Sequence, residues 1–175
     1  MGMFMASLSF RCPDQNKWQN LKPRLEKVCA EIPGLVTNMD SSGPGYVLLS
    51  PYGDLGPALG ELVEQISALT GDYAVMAMCV DSDFNMMELY HGGKLLERSC
   101  IGECYYDLPE EMAVAAPDIE NWKPLLIKPE QMEALSEALF GEEVFAEDNL
   151  RKLSALTGLP IFDDELMFEY MYFIK

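Results

Sequence analysis

The strongest constraint on the fold is a run of three strand-like segments joined by two tight turns. Residues 73–80 form the most apolar strand-like run of the chain, and Asp81-Ser-Asp83 ends it. Strands are predicted at 73–80, 86–90 and 95–99, with turns at 81–85 and at His91–Lys94. Strands joined by connections this short pair with their chain neighbours in antiparallel fashion. The sequence therefore predicts a β-meander in the middle of the chain.

Upstream of the meander, apolar periodicity predicts alternating strands and helices. The predicted elements are a strand at 4–10, a helix capped by Asp14, strands at 35–37 and 46–50, and a helix at 55–70 that ends at Gly71. Pro23 is predicted to kink the first helix or to move its start downstream. With the strand at 73–80, this is the order of a ferredoxin-like fold, in which two helices cover one face of an antiparallel sheet.

Downstream of the meander, three prolines predict an irregular segment at 102–128. Helices are predicted at 129–140 and 146–157, and alternation predicts a final strand at 166–173. We therefore predict a single α+β domain over 1–175. Its ferredoxin-like core with the meander occupies 1–100, and a helical extension over 101–175 packs on that core.

A five-residue sequence occurs twice in the chain, once in each half, and we call it the echo. Ser67-Ala-Leu-Thr-Gly71 recurs as Ser154-Ala-Leu-Thr-Gly158, each time at the end of a predicted amphipathic helix. An ancestral duplication explains the echo, and so does the ordinary chemistry of a helix end. Both explanations stay open at this point.

Charge is distributed very unevenly along the chain. Residues 1–60 carry five Lys/Arg and five Asp/Glu, so the whole net charge of −17 lies in residues 61–175. Phosphate backbones and anionic membranes are bound by positive surfaces. We therefore expect the protein to bind neither nucleic acid nor membranes. Membrane insertion is also not expected, because no apolar run reaches the length of a bilayer span. The excess of negative charge either serves solubility or offers an acidic face to a basic protein.

Common catalytic and cofactor motifs are missing. His91 is the only histidine, and its Gly92-Gly93 neighbours indicate a tight turn. The sequence contains no Gly-x-Ser-x-Gly elbow and no glycine-rich phosphate loop. Five scattered cysteines, with only Cys100 and Cys104 in a four-residue spacing, favour reduced thiols in a cytoplasmic setting over a zinc site. We expect no cofactor.

Asp81 and Asp83 are the weak candidates for a metal site. With Asn85 they alternate like the start of a calcium loop, but Met86 and Gly92 stand where that loop needs glycine and glutamate. Aspartates also favour turns, because their side chains bond to nearby backbone amides. A turn-forming role and a metal or acid–base role remain as alternatives, the latter with Glu88, Glu103 or Asp107 as further ligands.

Two segments resemble an uncharacterised bacterial protein family. Cys79-Val-Asp-Ser-Asp83 followed by Leu89-Tyr-His-Gly-Gly-Lys-Leu95 resembles that family's strand–turn–hairpin segment. Phe145-Ala-Glu-Asp-Asn-Leu-Arg-Lys-Leu-Ser-Ala-Leu-Thr-Gly-Leu-Pro160 is similar to its distal segment, so the resemblance covers about residues 73–160. It implies no established activity and no catalytic residues.

The sequence favours a binding protein over an enzyme. We expect a bacterial, cytoplasmic, non-enzymatic module that contacts a basic protein through its acidic part, as an immunity or inhibitor protein would. The partner-binding residues predicted from local clustering are Glu142, Glu143, Glu147 and Asp148. The alternative is a small metal-dependent enzyme centred on Asp81 and Asp83.

Overall fold

The architecture is that of a computed structural model of the 175-residue chain. The backbone is described for residues 5–12, 14–30, 36–38, 45–49, 56–104, 110 and 113–164. Within these ranges, side chains are not described at residues 25, 28–30, 36–38, 45–49 and 56–59.

A six-stranded antiparallel sheet runs through the described part of the chain, with the strand order β2-β3-β1-β4-β5-β6. The strands are β1 (Met5–Phe10), β2 (Val36–Asn38), β3 (Gly45–Leu49), β4 (Tyr73–Val80), β5 (Phe84–His91) and β6 (Lys94–Ile101). The helices of the same ranges are α1 (Gln15–Ala30), α2 (Gly56–Thr70), α3 (Ile119–Trp122), α4 (Met132–Phe140) and α5 (Glu147–Thr157), and a 3₁₀ turn at Lys123–Leu125 follows α3.

The predicted α+β class is confirmed, and so is the meander, because β4, β5 and β6 pair consecutively and antiparallel. The first six elements follow the predicted β-α-β-β-α-β order. The finer ferredoxin-like assignment stays a prediction, as does the single domain. Asp14 caps α1 as expected, since its Oδ1 accepts from the backbone N–H groups of Asn16 (2.9 Å) and Lys17 (3.3 Å). Pro23 lies inside α1 and does not move its start downstream.

The two faces of the sheet bury separate apolar cores. Side chains alternate along a strand, so even-numbered residues of β1 and β4 face one way and odd-numbered residues the other. Leu8 and Phe10 pack with Trp18 of α1 and Ile66 of α2. On the opposite face, Val75 packs with the apolar side chains of α3, α4 and α5. The sheet is thus a central layer between α1 and α2 on one side and the later helices on the other.

The first turn of the meander is shorter than predicted. Asp81 and Ser82 have φ values of 50° and 60°, and the Asp83 N–H donates to the Val80 carbonyl at 2.9 Å. Two consecutive left-handed residues give the turn the twist that a hairpin needs. Strand β5 therefore begins at Phe84 and not at 86, and both Phe84 and Asn85 are buried.

The segment at 102–128 is not wholly irregular, because α3 and the 3₁₀ turn form within it. The buried side chain of Glu97 in β6 explains why these helical turns form. Its carboxylate accepts from the backbone N–H of Asp118 (3.1 Å), Asn121 Nδ2 (3.0 Å) and Trp122 Nε1 (2.9 Å). A carboxylate with three donors anchors the short helix to the sheet.

Two further boundaries differ from the prediction. Helix α4 begins at Met132 and not at Pro129, since residues 129–131 form a turn that the Gln131 N–H closes on the Lys128 carbonyl at 3.0 Å. Helix α5 agrees with its predicted range to within one residue. The predicted strand at 166–173 lies outside the described residues.

Candidate functional site: an acidic cleft at the turn between β4 and β5

A cleft of about 570 Å³ opens where the turn between β4 and β5 meets the connection between α4 and α5. Four carboxylates line it, from Asp83, Glu103, Glu142 and Glu143. Ile101, Leu139 and Ala146 contribute buried apolar surface. None of the 14 lining residues in the described part of the chain is Lys, Arg or His. The cleft therefore combines an apolar floor with a negatively charged rim.

Hydrogen bonds fix the two walls to each other. The Ala146 N–H donates to the Ser82 carbonyl at 2.9 Å. From β5, Asn85 Nδ2 donates to the Ala146 carbonyl at 2.6 Å. The short turn and the start of α5 are thus held together through both backbone groups of one residue.

Asn149 sets the position of the α4 end. This residue of α5 is 2 % exposed, and its Nδ2 donates to the carbonyls of Ala138 (3.1 Å) and Gly141 (3.2 Å). Both carbonyls belong to the end of α4, where intrahelical donors run out. The side chain thereby places Phe140 to Glu143 along the cleft.

A lysine of α5 lies beside the acidic rim. Lys152 Nζ donates to Glu143 Oε1 at 2.5 Å and to Glu137 Oε1 at 2.9 Å. The bond from Lys152 lowers the pKa of the exposed Glu137 carboxyl, and the two carboxylates raise the pKa of Lys152. Glu143 is therefore partly neutralised, whereas Glu142 projects as an exposed side chain.

Large apolar side chains are exposed beside the cleft. Phe140, Val144 and Phe145 have exposed fractions of 51 %, 86 % and 54 %. All three lie in one short stretch that also holds Glu142 and Glu143, and Phe140 lines the cleft itself. Exposed apolar residues that cluster next to a cleft are typical of a binding surface.

The structure separates the two aspartates that were the metal candidates. Asp83 is exposed and lines the cleft, whereas Asp81 is half-buried and does not line it. Both lie in the β4–β5 turn, and the turn-forming role of their side chains stays a prediction. Among the residues with described positions, no group of three or more His, Cys, Asp or Glu could hold a metal ion. A metal-dependent activity at this pair stays a prediction.

The four predicted partner-binding acids also divide. Glu142 and Glu143 line the cleft, but Asp148 is half-buried and pairs with Arg151, away from the lining. Glu147 is only 8 % exposed, and its role in partner binding stays a prediction. It is buried because α5 docks its first residue on the β4–β5 turn, where Ser82 Oγ lies 3.3 Å from Glu147 Oε1.

Glu147 also influences a buried thiol. Cys79 Sγ lies 3.8 Å from Glu147 Oε2. Burial, and secondly the nearby carboxylate, raise the pKa of Cys79 to about 12. Cys79 is therefore a protonated core residue at neutral pH and not an activated nucleophile.

Comparisons with known proteins add no identity: no family model, no curated protein and no solved structure matches this chain. The resemblance to a bacterial family over about residues 73–160 thus stays a prediction. No helix within the described ranges is both long and apolar enough to cross a membrane.

Sequence reasoning missed several contributors to the site. Asn149 gives only a weak signal in the sequence. Its polar amide occupies a helix position at which the apolar periodicity does not require a polar residue. Phe140 ends α4, and Val144 and Phe145 follow no strand or helix period through the connection. Nothing local distinguishes such residues from core residues, because their exposure depends on what packs over them.

Proposed function

We propose that the protein is a non-enzymatic binding module whose acidic cleft receives a basic and partly apolar surface of another protein. The observation that carries this proposal is the apolar floor framed by four carboxylates, next to the exposed Phe140, Val144 and Phe145. Burial of apolar side chains supplies affinity, and charge complementarity supplies a fast and selective encounter. An inhibitor or immunity role against a cationic protein is consistent with this arrangement.

The two parts of the surface contribute to different kinetic steps. Long-range attraction by the acidic rim acts before contact and raises the association rate constant. Apolar contact forms only in the complex, so its loss acts mainly on the dissociation rate constant. The exposed Glu142 and Phe145 allow each contribution to be removed without disturbing a buried group.

The test begins with parallel affinity capture from the source cells, followed by kinetics with the purified candidate. The baits are the wild-type protein, Glu142→Lys, Phe145→Ser and Glu61→Lys. Glu61 is an exposed residue of α2 on the opposite face of the sheet, so its reversal makes the same change in net charge away from the cleft.

Stopped-flow association is measured at low and at physiological ionic strength. We expect Glu142→Lys to lower the association rate constant at low salt on the order of tenfold, and Glu61→Lys to lower it far less. Phe145→Ser should mainly raise the dissociation rate constant, because it removes contact area. If the partner associates at a rate that neither salt nor Glu142→Lys changes, the acidic cleft is not its docking site.

A further inference from the structure

The cleft combines the kinds of surface that bind an arginine side chain. Its rim carries the carboxylates of Asp83, Glu103, Glu142 and Glu143, and its floor is apolar. Phe140, which is 51 % exposed, adds an aromatic ring to the lining. A guanidinium binds carboxylates through its planar N–H groups and stacks on aromatic rings, while the aliphatic stem of arginine packs on apolar surface. The cleft therefore offers a complementary surface to each part of that side chain.

Another site on the same molecule shows how these groups hold a guanidinium. The guanidinium carbon of Arg151 lies 4.5 Å from the centroid of the Phe162 ring. The same guanidinium donates from Nη2 to Asp164 Oδ1 at 2.9 Å, and from Nη1 to Asp148 Oδ1. An arginine is thus held by one phenyl ring and two carboxylates at a partly exposed site. The cleft presents the same kinds of groups, and none of its 14 lining residues in the described part of the chain is a cation.

A buried amide next to the floor lacks a donor. Asn85 is fully buried, pairs with Ile101 in the ladder between β5 and β6, and donates from Nδ2 to the Ala146 carbonyl at 2.6 Å. Ile101 and Ala146 both line the cleft, so Asn85 lies next to its floor. Within the described ranges, Asn85 Oδ1 has no hydrogen-bond partner. Because a buried acceptor without a donor is costly, a ligand that brings N–H groups to this floor is favoured over an entirely apolar ligand.

We propose that the cleft receives an arginine side chain of the partner protein, with the guanidinium between the rim carboxylates and the Phe140 ring and the stem over the floor. The inference rests on the proposed function for the claim that the ligand belongs to a protein. Lysine fits this surface less well, because its ammonium is strongly hydrated and lacks the planar fork of donors. The ring and the floor, and not the charge of the rim, therefore distinguish arginine from lysine.

Lys152 already occupies one side of the rim. Its Nζ donates to Glu143 Oε1 at 2.5 Å and to Glu137 Oε1 at 2.9 Å. Glu103 and Glu142 are exposed and line the cleft. An entering guanidinium therefore binds mainly at the side of Glu103 and Glu142, and Lys152 competes with it for Glu143.

The test uses the full chain and small probes in place of the partner. A cleft of about 570 Å³ lies within the size range of small-molecule sites, so a blocked amino acid can enter it. The methylamides of N-acetyl-arginine, N-acetyl-lysine and the neutral N-acetyl-citrulline are titrated at equal ionic strength, and amide NMR signals are followed.

The three probes should separate clearly. We expect the arginine probe to cause saturable shifts of the Gly102, Glu103, Gly141 and Glu142 signals. The lysine probe should bind there at least about threefold more weakly, a factor that corresponds to a cation–π contact at an exposed site. The citrulline probe should cause no saturable shift, because it has no charge to pair with the rim.

Variants assign the contributions of the ring and the rim. Phe140→Leu keeps an apolar residue but removes the ring, so it should weaken arginine binding about threefold. Glu142→Gln should weaken both cationic probes, and Lys152→Gln should strengthen both by releasing Glu143. Glu61→Gln, an exposed position of α2 on the opposite face of the sheet, should change neither affinity. The comparison of the three probes on the wild-type protein decides the matter even where a variant fails to fold.

Equal affinity for the arginine and lysine probes would overturn the proposal, as would arginine shifts confined to residues outside the cleft. The kinetic test with the partner is independent of these spectra. A partner that docks by the salt and charge-reversal criteria, with no preference of the cleft for arginine, would uphold the proposed function and overturn this inference. Selective arginine binding in the cleft, with no partner that docks there, would do the reverse.

Discussion

At the scale of single residues, Gly102 and Gly92 show how differently two left-handed glycines can be constrained. Both have positive φ values, +90° for Gly102 and +57° for Gly92. A Cβ on Gly92 would meet nothing within 4 Å, whereas on Gly102 it would press on the backbone of Asp83 and Phe84. Gly92 needs only its backbone freedom, but Gly102 also needs the missing side chain.

We expect Gly102→Ala to destabilise the protein more than Gly92→Ala. Gly92→Ala should lower the free energy of unfolding by about 1 kcal/mol, the cost of a left-handed alanine. Gly102→Ala should lower it by about 3 kcal/mol, because steric displacement of the β4–β5 turn adds to a less favourable φ. Urea denaturation followed by circular dichroism measures both values. Equal losses would show that the turn shifts without cost and that Gly102 does not fix the cleft wall.

At the scale of elements, α2 and α5 end in the same way. In each echo the glycine N–H donates to the serine carbonyl at 2.9 Å, and Gly71 and Gly158 have φ values of +70° and +67°. Each threonine hydroxyl donates to the carbonyl four residues earlier and accepts from the N–H two residues later. Ordinary helix-end chemistry therefore accounts for the glycine and the threonine of the repeated sequence.

A cation also caps each of these helix ends. Lys17 Nζ donates to the Thr70 carbonyl at 2.7 Å, and Arg11 Nη2 donates to the carbonyls of Thr157 and Leu125. A positive charge at a helix C-terminus is favourable, because the last carbonyls lack intrahelical donors. Arg11, the residue after β1, thereby connects the sheet to the end of α5 and to the 3₁₀ turn.

The two threonines offer a matched pair of substitutions. Valine keeps the shape of threonine and removes the hydroxyl, so in Thr157→Val the buried N–H of Leu159 loses its acceptor. We expect a loss of about 2 kcal/mol in the free energy of unfolding. Thr70→Val should cost less, because the bond from the Asp72 N–H is only partly buried and water can replace it. Urea midpoints of the two variants check this order, and the reverse order would contradict it.

At the scale of the whole molecule, the sheet is shared by two cores that each contain one of the two tryptophans. Trp18 of α1 is 4 % exposed in the core with Leu8, and Trp122 of α3 is fully buried in the core with Val75. Ser7 of β1 also donates to the Ile161 carbonyl at 2.6 Å, so the sheet is bonded to the segment that follows α5. A sheet buried on both faces should unfold as a unit with its two layers.

This prediction of one cooperative unit is testable with single-tryptophan proteins. Trp18→Phe leaves Trp122 as the reporter, and Trp122→Phe leaves Trp18. In each variant we expect the fluorescence midpoint in urea to coincide with the midpoint from circular dichroism.

A second substitution tests coupling between the layers. Leu153→Ala in the Trp122→Phe protein should lower the Trp18 midpoint, although Leu153 is buried in the opposite core. The expected loss is about 2–5 kcal/mol in the free energy of unfolding. An unchanged Trp18 midpoint would mean that α3, α4 and α5 form a separate cooperative unit.

The sequence by itself determined the features that depend on a few neighbouring residues. The meander, the cap at Asp14 and the helix ends at Gly71 and Gly158 follow from period-two alternation, short side-chain bonds and left-handed glycines. Boundaries were less predictable, because Phe84 and Asn85 could belong to a turn or to a strand until their partners on β4 were known.

Only the tertiary structure decided which of the predicted acids form the cleft. Glu142 and Glu147 stand in one acidic stretch of the sequence, yet Glu142 is exposed and Glu147 is buried. The difference arises because the first residue of α5 docks on the β4–β5 turn, which also brings Asp83 to the cleft from a distant part of the chain. Charge and periodicity are local properties of a chain, whereas burial depends on the elements that pack against each residue.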